Sequence, residues 1–149
     1  MDDNRNAGVA ERYFDAVAAN DFETQAGLRA PDWIEDWPQS GERIRGHDQY
    51  RAIHEHYPGG FPDIEVERLV GAEDRWVVTP SMTVQRVIGS GDVWVAEGLN
   101  QYGDGSTARI VAIVELRDGL VRRQHTYFAA PFEAPAWRAG WVEPIEPEA

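Results

Sequence analysis

The hydrophobic period of this chain changes once, at Pro58-Gly59-Gly60, and that change restricts it to a small set of folds. Before that point, apart from one short strand-like stretch at Trp33 to Trp37, apolar residues recur at helical spacing; after it they alternate. Val9, Tyr13 and Val17 repeat every four residues with Ala10 and Phe14 beside them, which predicts a helix from about Ala7 to Ala19, after a polar and frayed start. Asn20-Asp21 breaks it, and Asp21 is placed to cap a second short helix to about Leu28, ended by Pro31. Trp33 to Trp37 reads as a short strand, followed by a loop at Pro38 and Ser40-Gly41. Gly46 opens a third helix, about His47 to Tyr57, with Tyr50, Ile53, His54 and Tyr57 on one face. Ile64 and Val66 then alternate with Glu65 and Glu67, and strands are predicted at 75–87, 93–102, 108–116 and 120–129. Gly89-Ser90-Gly91-Asp92, Gly103-Asp104-Gly105 and Asp118-Gly119 supply the turns. Helices first and hairpins afterwards mean an α+β domain, with helices packed on one face of an antiparallel sheet. A single domain is expected over 1–149, with 131–149 a Pro-rich extension in which Trp137 and Trp141 lie one helical turn apart and pack on the body or on a partner.

Charge narrows the partners. The chain has 14 Lys+Arg against 26 Asp+Glu, a formal net charge of −12. Such a surface repels phosphate backbones and anionic lipid, so neither nucleic acid nor a membrane is expected as a partner. No apolar run is long enough to span a bilayer and the start lacks a signal-peptide pattern, so a cytoplasmic location is expected. With no cysteine there is no thiolate nucleophile and no disulfide. His54 and His56 diverge by roughly 200° on a helix, following from 3.6 residues per turn. No metal site and no cofactor are therefore expected.

Two short motifs carry the candidate chemistry. Arg12-Tyr13 lies in the first helix and Ile34-Glu35-Asp36 in the first strand. A phenol donates a hydrogen bond while a carboxylate takes a proton, a pairing suited to acid–base work on a carbonyl-like molecule. Glu35 and Asp36 point to opposite faces of a strand, so only one can enter a pocket. Asp36 shares its face with Ile34, a core-type residue, and is the expected pocket carboxylate. Glu97 is a further candidate: if Asp104-Gly105 is a two-residue turn, Glu97 falls opposite Ala112 on the same sheet face. His54 shares its helical face with Tyr50 and is expected to look inward. On the last strand Gln124, Thr126 and Phe128 share one face and Arg123, His125 and Tyr127 the other; alternation alone leaves open which lines the pocket.

The order of elements, with the segments 38–46 and 127–138, resembles the NTF2-like, SnoaL-like proteins, cone-shaped α+β barrels that include ketosteroid isomerase-related and polyketide cyclase-related members. The resemblance covers nearly the whole chain and implies a curved antiparallel sheet wrapped on three N-terminal helices. The Arg12-Tyr13 pair is similar to the isomerases' pocket tyrosine, which would make Tyr13 an oxyanion donor. Ile34-Glu35-Asp36-Trp37-Pro38 is similar to the stretch that ends in their general base, which would make Asp36 the proton shuttle. A second family tyrosine falls at His54, expected to support Tyr13. The second oxyanion acid falls at Ala112, a departure, and Glu97 is expected to supply the missing polar group. The same comparison puts Gln124, Thr126 and Phe128 in the pocket, with Trp33, Trp37, Tyr50 and Trp94 as further walls. The expected function is cofactor-free isomerase, cyclase or dehydratase chemistry on a small apolar carbonyl or phenolic molecule, in a homodimer. The rival is a non-catalytic ligand-binding or dimerisation module of the same fold.

Overall fold

The computed structural model describes residues 3–72, 75–78, 84–87 and 91–145. Three helices precede the strands: α1 (Asp3–Ala18), α2 (Phe22–Leu28) and, after two strands, α3 (His47–Glu55). Helix α1 starts earlier than its apolar period predicts. Asn6 is fully buried, and its Nδ2 donates to the Gly91 carbonyl and to Asp92 Oδ1, each at 3.0 Å, which anchors the first turn. Asp21 caps α2 as expected, accepting from the Thr24 backbone N–H at 3.1 Å.

The strands are β1 (Arg29–Trp37), β2 (Glu42–Arg45), β3 (Asp63–Ala72), β4 (Arg75–Val78), β5 (Val84–Val87), β6 (Val93–Gln101), β7 (Thr107–Arg117) and β8 (Leu120–Ala129). Six of them form a curved, open sheet in the order β2-β1-β8-β7-β6-β3. The sheet is mixed rather than wholly antiparallel, because β1 runs parallel to β8. Strand β2 has the alternation Ile44 in, Arg43 and Arg45 out, but four residues are too few for period-two reasoning to separate it from a loop. The segment expected as one strand over 75–87 is two short strands, β4 and β5, paired antiparallel as a hairpin apart from the main sheet. The expected turn at Gly89-Ser90-Gly91-Asp92 falls partly outside the described residues.

Helix α1 lays Val9, Tyr13, Phe14 and Val17 against the concave face of the sheet, where they meet Ala96, Ile110, Ala112 and Val114. A bulge between Val66 and Arg68 bends β3 against β6 and adds to the curvature. Gly98 sits opposite Val66 there, and a Cβ at this position would collide with the Glu65 carbonyl. Backbone cannot yield as a side chain does, so Gly98→Ala is expected to destabilise the fold by about 3 kcal/mol, near the upper range for overpacking, read as a lower urea midpoint. Among the described residues no helix is long and apolar enough to cross a membrane.

Beyond β8 the chain runs out as an extended tail with one 3-10 turn at Ala136–Arg138. Trp137 and Trp141 are 74% and 83% exposed, so the expected packing of this pair is not made within the chain.

Candidate functional site

A narrow cavity opens between the helices and the concave face of the sheet. Its volume is about 40 Å³, room for two or three waters, and it is partly open to solvent. Its walls are mostly apolar, built from Phe14 and Val17 of α1, Ile64 and Val66 of β3, and Ala96, Ile110, Ala112 and Phe128 across the sheet. The polar groups reaching it are few: Glu35, Asn100, Gln124 and Thr126 from strands, and Tyr50 and His54 from α3.

The pocket carboxylate is Glu35, where Asp36 was expected. In β1 the inward face is Trp33 and Glu35, at 1% and 3% exposed. Trp33 outweighs Ile34 in apolar area and takes the interior, and alternation carries Glu35 with it. Cross-strand pairing shows the same assignment: Glu35 stands opposite Ile44 and Gln124, Asp36 opposite Arg43 and His125. Asp36 is consequently held on the outer face by Arg43 at 2.6 Å, with Arg123 and His125 each 3.6 Å away. The hydrogen bond from Arg43 holds its carboxyl below the usual carboxylate range. A lowered carboxyl stabilises the fold above the unfolded value, 3.8, and that contribution is lost as pH falls through the folded value. Asp36→Asn is therefore expected to lower the urea midpoint at pH 7 but not in strong acid, and to leave ligand binding in the cavity unchanged.

Glu35 is bound on one side only. Its Oε2 accepts from Trp37 Nε1 at 2.6 Å, whereas its Oε1 is buried without a hydrogen-bond partner among the described residues. The Thr126 side chain makes a weak hydrogen-bond interaction with the carboxyl that lowers its pKa, but no bond of full geometry closes onto Oε1. Burial raises the Glu35 carboxyl above its usual value of 4.5, and the Trp37 N–H, the Arg29 charge and Thr126 draw it only partly back.

Behind the cavity wall runs a hydrogen-bonded chain that the sequence did not reveal. Arg29, 5% exposed, lies 3.8 Å from the Trp33 ring centre and 4.0 Å from that of Tyr50, a cation held between two aromatic faces. Its Nε and Nη2 donate to the Tyr13 hydroxyl at 3.1 and 2.9 Å, and its Nη1 meets His47 Nδ1 at 2.8 Å. Because Arg29 can only donate, His47 Nδ1 accepts. The Tyr13 hydroxyl donates in turn to Gln124 Oε1 at 2.6 Å, and Gln124 Nε2 donates to Thr126 Oγ1 at 3.1 Å. Each donor is thus oriented by the one before it, from a buried cation toward the Glu35 side of the cavity.

Tyr13 accordingly lies behind Gln124 and is not part of the cavity lining. Burial pushes its hydroxyl up to about 12, so it remains a neutral donor. His54 does line the cavity, but it stacks on Tyr50 with ring centres 4.0 Å apart, and Nδ1 bonds the Tyr50 carbonyl at 3.0 Å; its expected support of Tyr13 is not among its contacts. Burial lowers the His54 pKa, which keeps the ring neutral with Nδ1 as donor and Nε2 as acceptor.

Trp37, Tyr50, Gln124, Thr126 and Phe128 line the cavity, which resolves the face of β8 left open by alternation. Trp33 is sealed in the core under Arg29, and Trp94 covers Gly71 and donates to the Gly91 carbonyl at 2.8 Å; neither lines the cavity. Glu97 is exposed and pairs with Val111, while Ala112 faces Ala96. The turn explains the one-residue shift. Tyr102 N–H bonds the Ser106 carbonyl at 2.9 Å, so the loop is the three residues 103–105, with Gly105 at φ +86. The Asp104 carboxylate favours this longer loop by accepting from the Ser106 backbone N–H at 2.8 Å.

The SnoaL-like domain model matches residues 10–124. A solved NTF2-like protein of unknown function from Burkholderia xenovorans is 33% identical, with 98% of this chain and 99% of that chain covered at a TM-score of 0.73. A proposed ketosteroid isomerase from Kribbella flavida is 26% identical over 97% of this chain and 93% of its own, TM-score 0.74. A proposed polyketide cyclase from Xanthomonas campestris shares the fold at 17% identity, covering 85% of this chain and 92% of its own, TM-score 0.57. No curated protein matches the chain.

Proposed function

Because the chain belongs to the SnoaL-like domain family, we propose that its cavity binds a small, largely apolar organic molecule and that Glu35 moves a proton on it without a cofactor. The observation that carries this reading is Glu35 Oε1, a buried carboxyl oxygen with no full hydrogen bond among the described residues, in an apolar cavity. A carboxyl raised by burial approaches the range in which it exchanges protons with weak carbon or hydroxyl acids. Trp37 fixes Oε2 and so leaves Oε1 as the reacting atom. Ala96 and Ala112 leave space where larger residues would fill the cavity floor. Isomerisation, aldol-type cyclisation and dehydration all begin with such a proton transfer.

Binding without turnover is a second reading, and one feature favours it. The Tyr13 hydroxyl is already spent on Gln124 and Ala112 donates nothing, so a developing oxyanion would have no dedicated donor from these two positions. The two readings separate by incubating the protein in D2O with small enolisable ketones such as acetone and following deuterium uptake by NMR. Uptake catalysed by the native protein and reduced to background in Glu35→Gln supports proton transfer. A ligand-induced rise in melting temperature with no uptake in either protein supports binding alone.

A further inference from the structure

The tail beyond β8 carries an apolar surface that its own chain does not cover. Phe132, Trp137, Trp141, Val142 and Ile145 are all exposed, Phe132 at 81% and Ile145 at 98%. The segment nevertheless has a defined shape. The Ala139 and Trp141 backbone N–H groups donate to the Ala136 and Arg138 carbonyls at 3.2 and 3.0 Å, closing two successive turns that carry both tryptophans. So short a turn is not stable in water by itself, because fixing its dihedrals outweighs two hydrogen bonds; it needs a surface to lie on. A groove of about 390 Å³, roomy enough for an indole ring, lies on the outer face of the sheet beside β1, between β2 and β8. Trp37, Pro38, Arg43, His125 and Tyr127 line it, and no residue of the tail does. Gln39 accepts from the Phe128 backbone N–H, which ties the loop 38–41 to the end of β8 and fixes one wall. Charge is complementary as well. Strands β2 and β8 hold Arg43, Arg45, Arg122 and Arg123 against one carboxylate, Glu42. On β1 between them, Asp32 and Asp36 are already paired with Arg117 and Arg43. Residues 131–149 have the opposite balance, Glu133, Glu143, Glu146 and Glu148 against Arg138.

We propose that two copies of this chain pair by exchanging tails, each setting its Trp137–Trp141 turn into the groove between β2 and β8 of the other. A second copy is the occupant that leaves neither surface uncovered, because every chain carries both the tail and the groove. A twofold exchange therefore closes on itself. The reach is sufficient: the eight residues from Ala129 to Trp137 span at most about 28 Å when extended. Pro131 and Pro135 favour that extension, and Pro135 has extended backbone. The groove offers an indole the Arg43 guanidinium for its face and the Tyr127 ring for its edge. The area is that of a stable dimer. Phe132, Trp137 and Trp141 from two tails remove on the order of 1,000 Å² from water. The surface they cover adds a comparable amount, which reaches the roughly 1,200–2,000 Å² of a specific interface. This inference depends neither on the inner cavity nor on Glu35.

Sedimentation equilibrium of the full chain tests it. A dimer with a dissociation constant on the order of 1 μM or below is expected. Replacing both tryptophans, Trp137→Ser with Trp141→Ser, is expected to weaken it about a hundredfold or more, since buried tryptophans dominate the interfaces they enter. Both side chains are exposed in the single chain, so the far-UV circular dichroism of the variant should match the native protein. Cross-linking reads the location separately, because the chain has no cysteine. An equimolar mixture of Glu42→Cys and Ala136→Cys, treated with a short bismaleimide, is expected to yield a covalent pair containing one of each. Neither variant alone should give a comparable yield. A monomer at about 100 μM, well above the expected constant, would overturn the proposal and leave the tail to a different partner. A dimer equally tight in the double serine variant would place the interface elsewhere and overturn it too. So would a cross-link formed within single chains carrying both cysteines, diluted until they are monomeric, because the tail would then cover its own groove.

Discussion

Glu35→Gln is expected to lower any proton transfer in the cavity by 10²–10⁴-fold, the usual contribution of a positioned acid or base. The amide is close to the carboxyl in shape and its oxygen can still accept from Trp37 Nε1, so the wall and its packing should persist. What disappears is the group that gains and loses a proton. The same substitution has a stability signature with a definite sign. The Glu35 carboxyl is raised in the folded state, so the folded protein holds this proton at pH values where the unfolded chain has released it. Its contribution is fully present below the unfolded value of 4.5 and is lost as pH rises through the folded one. The Gln variant lacks this dependence, and its urea midpoint should exceed that of the native protein at neutral pH and match it below pH 4.5. Unchanged deuterium uptake in Glu35→Gln would remove Glu35 from the mechanism. A midpoint below the native one at neutral pH would mean that the charge is better solvated than its burial implies.

The largest stability effect is expected at Arg29. Arg29→Ala removes a cation lying between Trp33 and Tyr50, both of its bonds to Tyr13 and its bond to His47. Desolvated cation–π contacts are worth about 2 kcal/mol and hydrogen bonds to charged groups about 1.5–3 kcal/mol. Part of that gain offsets the cost of burying the charge, and the variant also leaves a cavity, so a net loss of about 3–5 kcal/mol is expected. Arg29→Lys should recover only a minor part of it. An ammonium neither stacks between two rings nor spans Tyr13 and His47 with a planar fork. Urea titrations of both variants check this, and a lysine variant as stable as the native protein would show that charge alone suffices. His47 gives a second reading of the same contact. Burial, then the neighbouring Arg29 charge, lower its pKa from 6.5 in the folded state. The associated stability is present above that value and lost as pH falls through the folded one, and Arg29→Ala should weaken this acid-side loss.

The effect should extend to the cavity. Arg29 orients Tyr13, Tyr13 orients Gln124, and Gln124 orients Thr126 beside Glu35. Arg29 is thus a positioning residue, four side chains in sequence from the reacting group.

Local pattern was enough for much of this. The four-residue repeat of Val9, Tyr13 and Val17 determined α1 and its buried face, because one stripe of a helix must leave water. Asp21 determined where α2 begins, and Asp118-Gly119 where β7 turns into β8. The inward placement of Tyr50 and His54 on α3 was legible for the same reason as α1. Asn100 could have been found by extending that logic, since it shares the parity of Ala96 and Gly98 on β6. Tertiary structure alone decided the rest. Trp33-Ile34-Glu35-Asp36-Trp37 carries apolar residues on both faces, so alternation permits either carboxylate to be buried; the choice came from β2 and β8, which set Arg43 and His125 beside Asp36. Glu97 turned outward because a hydrogen bond from the Ser106 N–H to the Asp104 carboxylate selected a three-residue loop over a two-residue one, and a single residue reverses every face of a strand. The parallel β1–β8 pair joins segments some ninety residues apart, beyond the reach of any local period. Arg29 had no signal at all, because a buried cation is stable only where two aromatic faces and two acceptors converge, and that convergence exists only once the chain has folded.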